Sequence, residues 1–222
     1  MHQVNFKRYE RQLRLPAFGA AGQHRLSTAK VLVVGAGGLG CPALQYLAGA
    51  GIGTIGIVDG DRVDLSNLPR QILFTETELG ENKSEAAAKR LRELNSSINI
   101  QKFPVRMLPH NALELIADFD VVLDCTDNFP TRYMISDACG ILEKPLVYGA
   151  VHQYEGQVAV FHFASSDGNR VSYRDLYPYD ERNRNLENCS TAGVTGMITG
   201  MTGTVQAYAA LQIMLGSVPA CA

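Results

Sequence analysis

The sequence lacks several features that mark common classes of protein. Its five cysteines form no CxxC pair and are odd in number, which argues against a disulfide scaffold or a zinc ribbon and favours a reduced, cytoplasmic protein. The net charge is only −2, so neither nucleic acid nor an anionic membrane is an expected partner. The N-terminus is charged and has no apolar core segment, so no signal peptide is predicted.

Charged residues are absent from Asn188 onward. This raises the possibility of a membrane helix, but residues 191–216 hold five threonines, five glycines and two glutamines and have no basic flanks. Glycines that recur near helical spacing predict a face that another element can approach closely, at Gly193, Gly196, Gly200 and Gly203. We predict a buried or interface helix, with a membrane span as the alternative.

Strand-like and helix-like runs alternate along the rest of the chain. The predicted strands are an apolar run that breaks into glycines at 30–40, followed by 54–61, 98–105, 120–128, 144–152 and 156–163. Helical patterns lie between them. This alternation predicts an α/β fold: a Rossmann-like, doubly wound, mostly parallel sheet with flanking helices and a shortened C-terminal part, in a single domain over residues 1–222. The polar residues 164–190 are predicted to be a mobile crossover loop, with an ordinary surface linker as the alternative.

A nucleotide-binding fingerprint follows the first predicted strand. Gly35, Gly37 and Gly40 fit G-x-G-x-x-G between a strand and a helix, and Asp59 ends the next strand. Glycines let the backbone approach a phosphate, and the carboxylate accepts from ribose hydroxyls. The alternative is a glycine-rich turn that serves only helix–strand packing.

Charged residues near other strand ends suggest which nucleotide is bound. Arg70 and Gln71 come after the second strand, Lys83 opens a helix, and Asp127 ends the fourth strand. Such ends converge on one crevice, where the cations can neutralise phosphate oxygens and the acid can hold Mg²⁺. Each residue alone also has an ordinary structural alternative. Arg70 could be a surface arginine, Lys83 could belong to a solvated helix face, and Asp127 could cap the helix that follows it.

Six segments together resemble the E1-like adenylyltransferases of the ThiF/MoeB/HesA family. They are "RYERQ" (8–12), "GAGGLG" (35–40), "VDGDRVDLSNLPRQ" (58–71), Lys83, "DCTDNFPTR" (124–132) and "NCSTAGV" (188–194). The resemblance implies ATP-dependent adenylation of the C-terminal Gly-Gly carboxylate of a small ubiquitin-like β-grasp sulfur carrier, with pyrophosphate released. It slightly favours the thiamine thiazole pathway, with the molybdopterin-synthase carrier as the alternative. A cysteine desulfurase or sulfurtransferase is a further possible partner.

The resemblance also implies roles for individual residues. Gly37 and Gly38 would line the nucleotide, Asp59 would hold the ribose, and Asp127 would serve Mg²⁺ and the α-phosphate. Arg11 would reach the ATP of the partner subunit in a homodimer. The phosphates would be addressed by Asn67, Arg70, Gln71 and Lys83, and the predicted nucleotide-binding set is completed by Gly35, Gly40, Asp61, Asn128 and Arg132.

Two features around the crossover loop need separate treatment: the zinc ligands of the family are missing, and the role of Cys189 is undecided. Many relatives carry a C-Y-R-C run and a second CxxC that bind zinc, but this chain reads Ser172-Tyr173-Arg174-Asp175 and has no second pair, so no zinc site is expected. Cys189 is a candidate for a covalent link to the carrier, or else an incidental thiol.

Two other classes of function remain as alternatives. A nicotinamide-dependent oxidoreductase would use the same glycine turn and Asp59, but no hydride-transfer pocket can be picked out. A non-catalytic module that binds a carrier or nucleotide is suggested by the missing zinc ligands and opposed by Arg70, Lys83 and Asp127.

Overall fold

The fold is built on a single sheet of six strands in the part of the chain that the structure describes. The structure is a computed structural model, and it describes residues 7–16, 18–164, 168, 170–178, 193–219 and 221. The strands are β1 (Lys30–Val34), β2 (Thr54–Val58), β3 (Asn99–Phe103), β4 (Val121–Asp124), β5 (Leu146–His152) and β6 (Glu155–Phe161). Each is shorter than its predicted run, because the residues past most strand ends turn away from the sheet.

The strand order β3-β2-β1-β4-β5-β6 is that of a doubly wound fold. All neighbours pair in parallel except β5 and β6, which form an antiparallel hairpin. The chain winds from β1 towards β3 in one direction and from β4 towards β6 in the other. The order therefore reverses between β1 and β4, and that reversal opens a crevice at the carboxyl ends of these strands. The prediction of a Rossmann-like, mostly parallel sheet is confirmed.

Helices cover both faces of the sheet. Leu26, Leu44, Ala87 and Ala210 pack in one core, and Ile116, Ile135 and Tyr173 pack in the other. The helices are α1 (Glu10–Leu13), α2 (Gly19–Thr28), α3 (Gly40–Ala50), α4 (Lys83–Leu94), α5 (Ala112–Ala117), α6 (Phe129–Ile141), α7 (Tyr173–Leu176) and α8 (Gly196–Leu215). The first core thus lies under α2, α3, α4 and α8, and the second under α5, α6 and α7.

The uncharged helix α8 packs closely on the chain that surrounds the crevice. A Cβ at Gly203 would lie 2.1 Å from the carbonyl oxygen of Leu39, and one at Gly196 would lie 2.4 Å from that of Pro69. Both glycines are needed for this approach, whereas Gly200 faces open space. Gln206 is fully buried and donates to the carbonyl oxygens of Asp124 and Val147. None of the described helices has the combined length and hydrophobicity that crossing a membrane requires.

The described part of the crossover loop is fastened to the sheet by polar and aromatic contacts. Ser172 and Asp175, which stand where the resemblance would place cysteines, form a capping box around α7. Arg174 makes a two-pronged ion pair with Asp137 of α6, with N···O distances of 2.7 and 2.6 Å. Tyr173 is buried against the rings of Tyr133, Tyr148, Phe161 and Tyr177. These contacts hold residues 170–178 in place.

Replacing Tyr173 by alanine is expected to lower the free energy of unfolding by about 3–5 kcal/mol, since it removes a buried ring from this cluster. Urea unfolding measures the change. Tyr173→Phe keeps the ring and should lose far less. Leu176→Ala, on the exposed side of the same turn, should stay within about 0.5 kcal/mol of the parent. A loss below about 1 kcal/mol in Tyr173→Ala would show that the cluster contributes little.

Candidate active site

A cavity of about 890 Å³ opens where the strand order reverses. It lies at the carboxyl ends of β1, β2 and β4, and its wall includes the terminal residues Val34 and Val58. The structure brings most of the predicted site residues together here. Those that line the cavity are Gly35, Gly37, Gly38, Asp59, Asp61, Asn67, Arg70, Gln71, Lys83, Asp127, Asn128 and Arg132.

The glycine turn is shaped by close backbone contacts. Gly35 has φ +95°, a conformation that side chains disfavour, and a Cβ there would lie 2.8 Å from the carbonyl oxygen of Cys125. Gly40 does not line the cavity; a Cβ there would lie 1.9 Å from the oxygen of Gly35, so this glycine closes the turn from behind. The turn then enters α3, whose N-terminus faces the cavity and suits an anionic group.

Asp59 connects the end of β2 to the glycine turn. Its Oδ2 accepts from the backbone N–H of Ala36 at 2.7 Å, and its Oδ1 accepts from that of Asp61 at 2.8 Å. Burial raises the pKa of Asp59, while these two N–H groups and Lys83 act in the opposite direction. Each oxygen keeps a further lone pair, so the carboxylate can still accept from the hydroxyl groups of a ribose.

Arg70 is presented by a tight turn that begins with an Asx motif. The side chain of Asp64 accepts from the N–H of Ser66, and the carbonyl oxygen of Asn67 accepts from the N–H groups of Arg70 and Gln71. The guanidinium of Arg70 donates to the carbonyl oxygen of Ser66 at 3.1 Å. Among the described residues no carboxylate forms an ion pair with Arg70, so its charge is available for an anion in the cavity.

Two polar side chains are buried in the wall beside this turn. Gln71 is 4% exposed, and its Oε1 is buried without a hydrogen-bond partner in the part of the chain described. Lys83, the first residue of α4, is 6% exposed, and its Nζ lies 3.8 Å from Oδ2 of Asp61. Buried polar groups normally have partners, so both side chains suit a polar ligand that the cavity would hold.

The segment after β4 places Asp127 at the cavity. Asp124 is fully buried and accepts from the N–H and hydroxyl of Thr126, which fixes the turn. Burial raises the pKa of Asp124, and Arg132 opposes that rise. Asn128 provides the N-cap of α6 by accepting from the N–H of Thr131, so Asp127 is not the cap and its exposed carboxylate lines the cavity.

Arg132 is buried at the inner wall. Its Nη2 donates to the carbonyl oxygen of Thr126 at 3.1 Å, and its guanidinium lies over the rings of Phe129 and Tyr148. It thereby supports the turn that carries Asp127.

Within the described chain, two predicted site residues do not line the cavity: Gly40, which closes the glycine turn from behind, and Arg11. Arg11 lies on α1, where neighbouring Gln12 donates to the carbonyl oxygen of Ala50. Ala50 ends α3 just before β2 begins, so α1 lies at the amino ends of the strands, on the opposite side from the cavity. This placement gives Arg11 no role in the site of its own chain. Cys189 lies outside the described residues. Cys41, Cys125 and Cys139 are buried.

Several lining residues escaped the reasoning from sequence, among them Arg106 and Thr199. Arg106 follows β3, and the rule that strand ends converge would have found it. Thr199 lies on α8, with its side chain 3.1 Å from the position of a Cβ at Gly38. No local pattern indicates that contact, because it depends on how α8 crosses the sheet.

A known protein family matches almost the entire chain. The ThiF family matches residues 9–221. The chain belongs to the ThiF family. The earlier prediction of an E1-like adenylyltransferase of the ThiF/MoeB/HesA group is therefore confirmed at the level of the family.

Curated relatives of this ThiF-family chain carry adenylyltransferase names. It is 48% identical over 210 residues to the sulfur carrier protein adenylyltransferase of Thermus thermophilus, covering 94% of this chain and 78% of that protein. It is 47% identical to the probable molybdopterin-synthase adenylyltransferase of Porphyra purpurea, covering 95% and 54%, and to the adenylyltransferase and sulfurtransferase MOCS3 of Drosophila sechellia, covering 94% and 45%. The chain thus spans about half the length of the last two relatives.

Solved structures confirm the fold at lower identity. A structure of E. coli MccB superposes with a TM-score of 0.80 at 20% identity, covering 99% of this chain and 67% of that one. The structure of PaaA gives a TM-score of 0.77 at 22% identity, covering 97% and 67%.

Proposed function

We propose that this chain catalyses the ATP-dependent adenylation of the C-terminal Gly-Gly carboxylate of a small ubiquitin-like sulfur carrier, releasing pyrophosphate. The observation that carries the proposal is the convergence of Arg70 and Lys83 with the glycine turn and Asp127 around one cavity. The names of the relatives support the choice of carrier as substrate.

In this proposal, different residues of the cavity bind different parts of the nucleotide. Asp59 accepts from the ribose hydroxyls, and the glycine turn with the N-terminus of α3 takes the phosphates. Arg70 and Lys83 neutralise phosphate oxygens, and the buried amide of Gln71 bonds to the nucleotide. A volume of about 890 Å³ is ample for a nucleotide together with the end of an extended peptide.

The reaction joins two anions. An oxygen of the carrier carboxylate forms a bond to the α-phosphorus while the bond from that phosphorus to the bridging oxygen of the β-phosphate breaks, and pyrophosphate leaves with the electron pair. The carboxylate is already ionised near neutral pH, so no general base is required. The protein must instead offset repulsion and align the reactants, which is the work assigned to Arg70 and Lys83.

Asp127 is the residue that would hold Mg²⁺ in this cavity. Its carboxylate is exposed there and has no ion pair within the described residues, and magnesium commonly takes one or two protein carboxylates together with substrate phosphates. A bound Mg²⁺ supplies charge that offsets the negative phosphates. Among the described residues no three His, Cys, Asp or Glu side chains are grouped to hold a metal without a substrate.

Pyrophosphate exchange into ATP tests the proposal directly. The purified chain is incubated with magnesium, labelled pyrophosphate and a carrier ending in Gly-Gly, using the thiamine-pathway and molybdopterin-synthase carriers in parallel. The thiamine carrier remains the slightly favoured substrate. Exchange that requires the carrier's Gly-Gly end supports the proposal, and a folded protein that exchanges with neither carrier contradicts it.

We also propose that the active form is a homodimer. Helix α8 exposes an apolar face made of Met197, Met201, Val205 and Tyr208, and Tyr46 of α3 is exposed as well. A second copy covering this face would bury apolar side chains, and Arg11, which is remote from its own cavity, would be free to serve the partner's nucleotide.

Val205→Glu is expected to convert a dimer into a monomer at micromolar concentration, because it places a charge in the proposed apolar interface. Sedimentation velocity reports the change. Leu113→Glu, at an exposed position of α5 on the other face of the sheet, is the matched control and should stay dimeric. A parent chain that sediments as an active monomer would remove the homodimer from the proposal.

A further inference from the structure

Asp61 is shared between two cations at the rim of the cavity. Its Oδ1 accepts from Nη2 of Arg106 at 3.0 Å, and its Oδ2 lies 3.8 Å from Nζ of Lys83. The first contact is a hydrogen-bonded ion pair, and the second is a looser electrostatic contact. Within the described residues Lys83 makes no other ion pair, so most of its hydrogen-bonding capacity remains free.

The backbone around Arg106 is fixed by the loop after β3. Asn111 donates to the carbonyl oxygen of Arg106 at 3.1 Å, and its own Oδ1 accepts from the N–H of Leu108 at 2.8 Å. The stem of Arg106 passes over Gly60, where a Cβ would lie 2.8 Å from its Cγ. The arginine is therefore directed at Asp61 by packing as well as by charge.

We propose that Arg106 is a positioning residue for nucleotide binding, acting through Asp61. This inference rests on the proposed use of ATP. By engaging Asp61, Arg106 keeps that carboxylate from pairing tightly with Lys83 and offsets a negative charge that would repel the phosphates. Lys83 then meets the incoming nucleotide with its ammonium free. Without Arg106, Asp61 competes with the phosphates for Lys83.

The size of the effect follows from the exposure of the pair. The side chains of Arg106 and Asp61 are 77% and 53% exposed, so water screens their attraction. Pairs of this kind are worth up to about 1 kcal/mol, which corresponds to about fivefold in affinity. Removal of Arg106 should therefore weaken binding of a non-hydrolysable ATP analogue about fivefold.

A double-mutant cycle in the full chain tests this route of action. Calorimetry with the ATP analogue and magnesium compares the parent, Arg106→Ala, Asp61→Asn and the double variant. Arg106→Ala should cost about fivefold in the parent background and less than about twofold in the Asp61→Asn background. Adenosine, which has no phosphates, should bind the parent and Arg106→Ala within about twofold of each other.

Arg62→Ala is the matched control. Arg62 is a neighbouring exposed arginine that donates to the carbonyl oxygen of Gly80 and does not line the cavity. Its removal should change affinity by less than about twofold, which separates the specific effect of Arg106 from a general loss of positive charge. Thermal unfolding confirms that each variant is folded.

Three results overturn the inference while leaving the proposed function intact: unchanged affinity in Arg106→Ala, an equal loss in the Asp61→Asn background, or an equal loss of adenosine binding. The last would mean that Arg106 contacts the nucleoside itself. A parent chain that fails to bind the ATP analogue would instead contradict the proposed function, and this inference with it.

Discussion

Lys83→Ala is expected to reduce pyrophosphate exchange about 10³-fold in kcat/KM, equivalent to about 4 kcal/mol of lost transition-state stabilisation. Lys83 is 6% exposed and lies in the cavity wall, so water screens the action of its charge on a phosphate poorly. No other lysine lines the described cavity to replace it. Exchange rates at several ATP concentrations measure the loss.

Lys89→Ala is the matched control for this variant. Lys89 lies on the same helix, α4, but is exposed and does not line the cavity. Both substitutions remove one positive charge and both introduce a good helix former, so a difference between them reports position alone. Lys89→Ala should retain exchange within about twofold.

The Lys83→Ala chain is expected to remain folded, since Asp61 keeps its hydrogen-bonded pair with Arg106. Circular dichroism and thermal unfolding check this point. A folded Lys83→Ala variant that exchanges within tenfold of the parent would show that Lys83 does not act at the reacting centre. It would also contradict the proposal that Arg70 and Lys83 together neutralise the phosphates.

The sequence predicted the position of the site because the fold makes strand ends converge. Arg70, Lys83 and Asp127 are far apart in the chain, yet each follows or lies near the carboxyl end of a predicted strand, and the order reversal between β1 and β4 brings them together. Parallel pairing and right-handed crossovers leave few other arrangements. The same convergence brings Arg106, which follows β3, to the cavity.

Other features depended on contacts that no local pattern reveals. Thr199 reaches the glycine turn because α8 crosses directly over it, and the two close glycine contacts that allow this are long-range. The predicted glycine face was right at Gly196 and Gly203, whereas Gly193 precedes the helix and Gly200 faces open space. A periodic pattern identifies a face of a helix, but the partner of that face is set by the tertiary fold.

Polar side chains also resolved alternatives that the sequence left open. The sequence left Asp127 open to two interpretations, a site residue or the N-cap of the helix that follows it. The structure gives the cap to Asn128, which leaves Asp127 with an exposed carboxylate in the cavity. In the same way Arg70 has no carboxylate partner among the described residues, and an exposed surface arginine would not line a cavity.

Asp127→Ala is expected to reduce pyrophosphate exchange at least about 10²-fold, and to weaken nucleotide binding only when magnesium is present. With Mg²⁺ present, loss of the carboxylate should weaken binding of the ATP analogue, because a ligand of the metal is gone. With the metal removed by a chelator, binding should be unchanged or tighter, because one negative charge that faces the phosphates has been deleted.

Calorimetry in the two conditions separates this role from simple damage to the cavity, which would weaken binding in both. Asp118→Ala, an exposed acid at the end of α5, is the matched control and should follow the parent in both conditions. A pull-down shows whether the Asp127→Ala chain still binds the carrier, which separates a loss of the reaction from a loss of carrier binding. If exchange survives the substitution, Asp127 does not serve the reaction. If the parent binds the carrier and the nucleotide but never exchanges pyrophosphate, the cavity belongs to a binding module. Its cations then bind an anion without activating it.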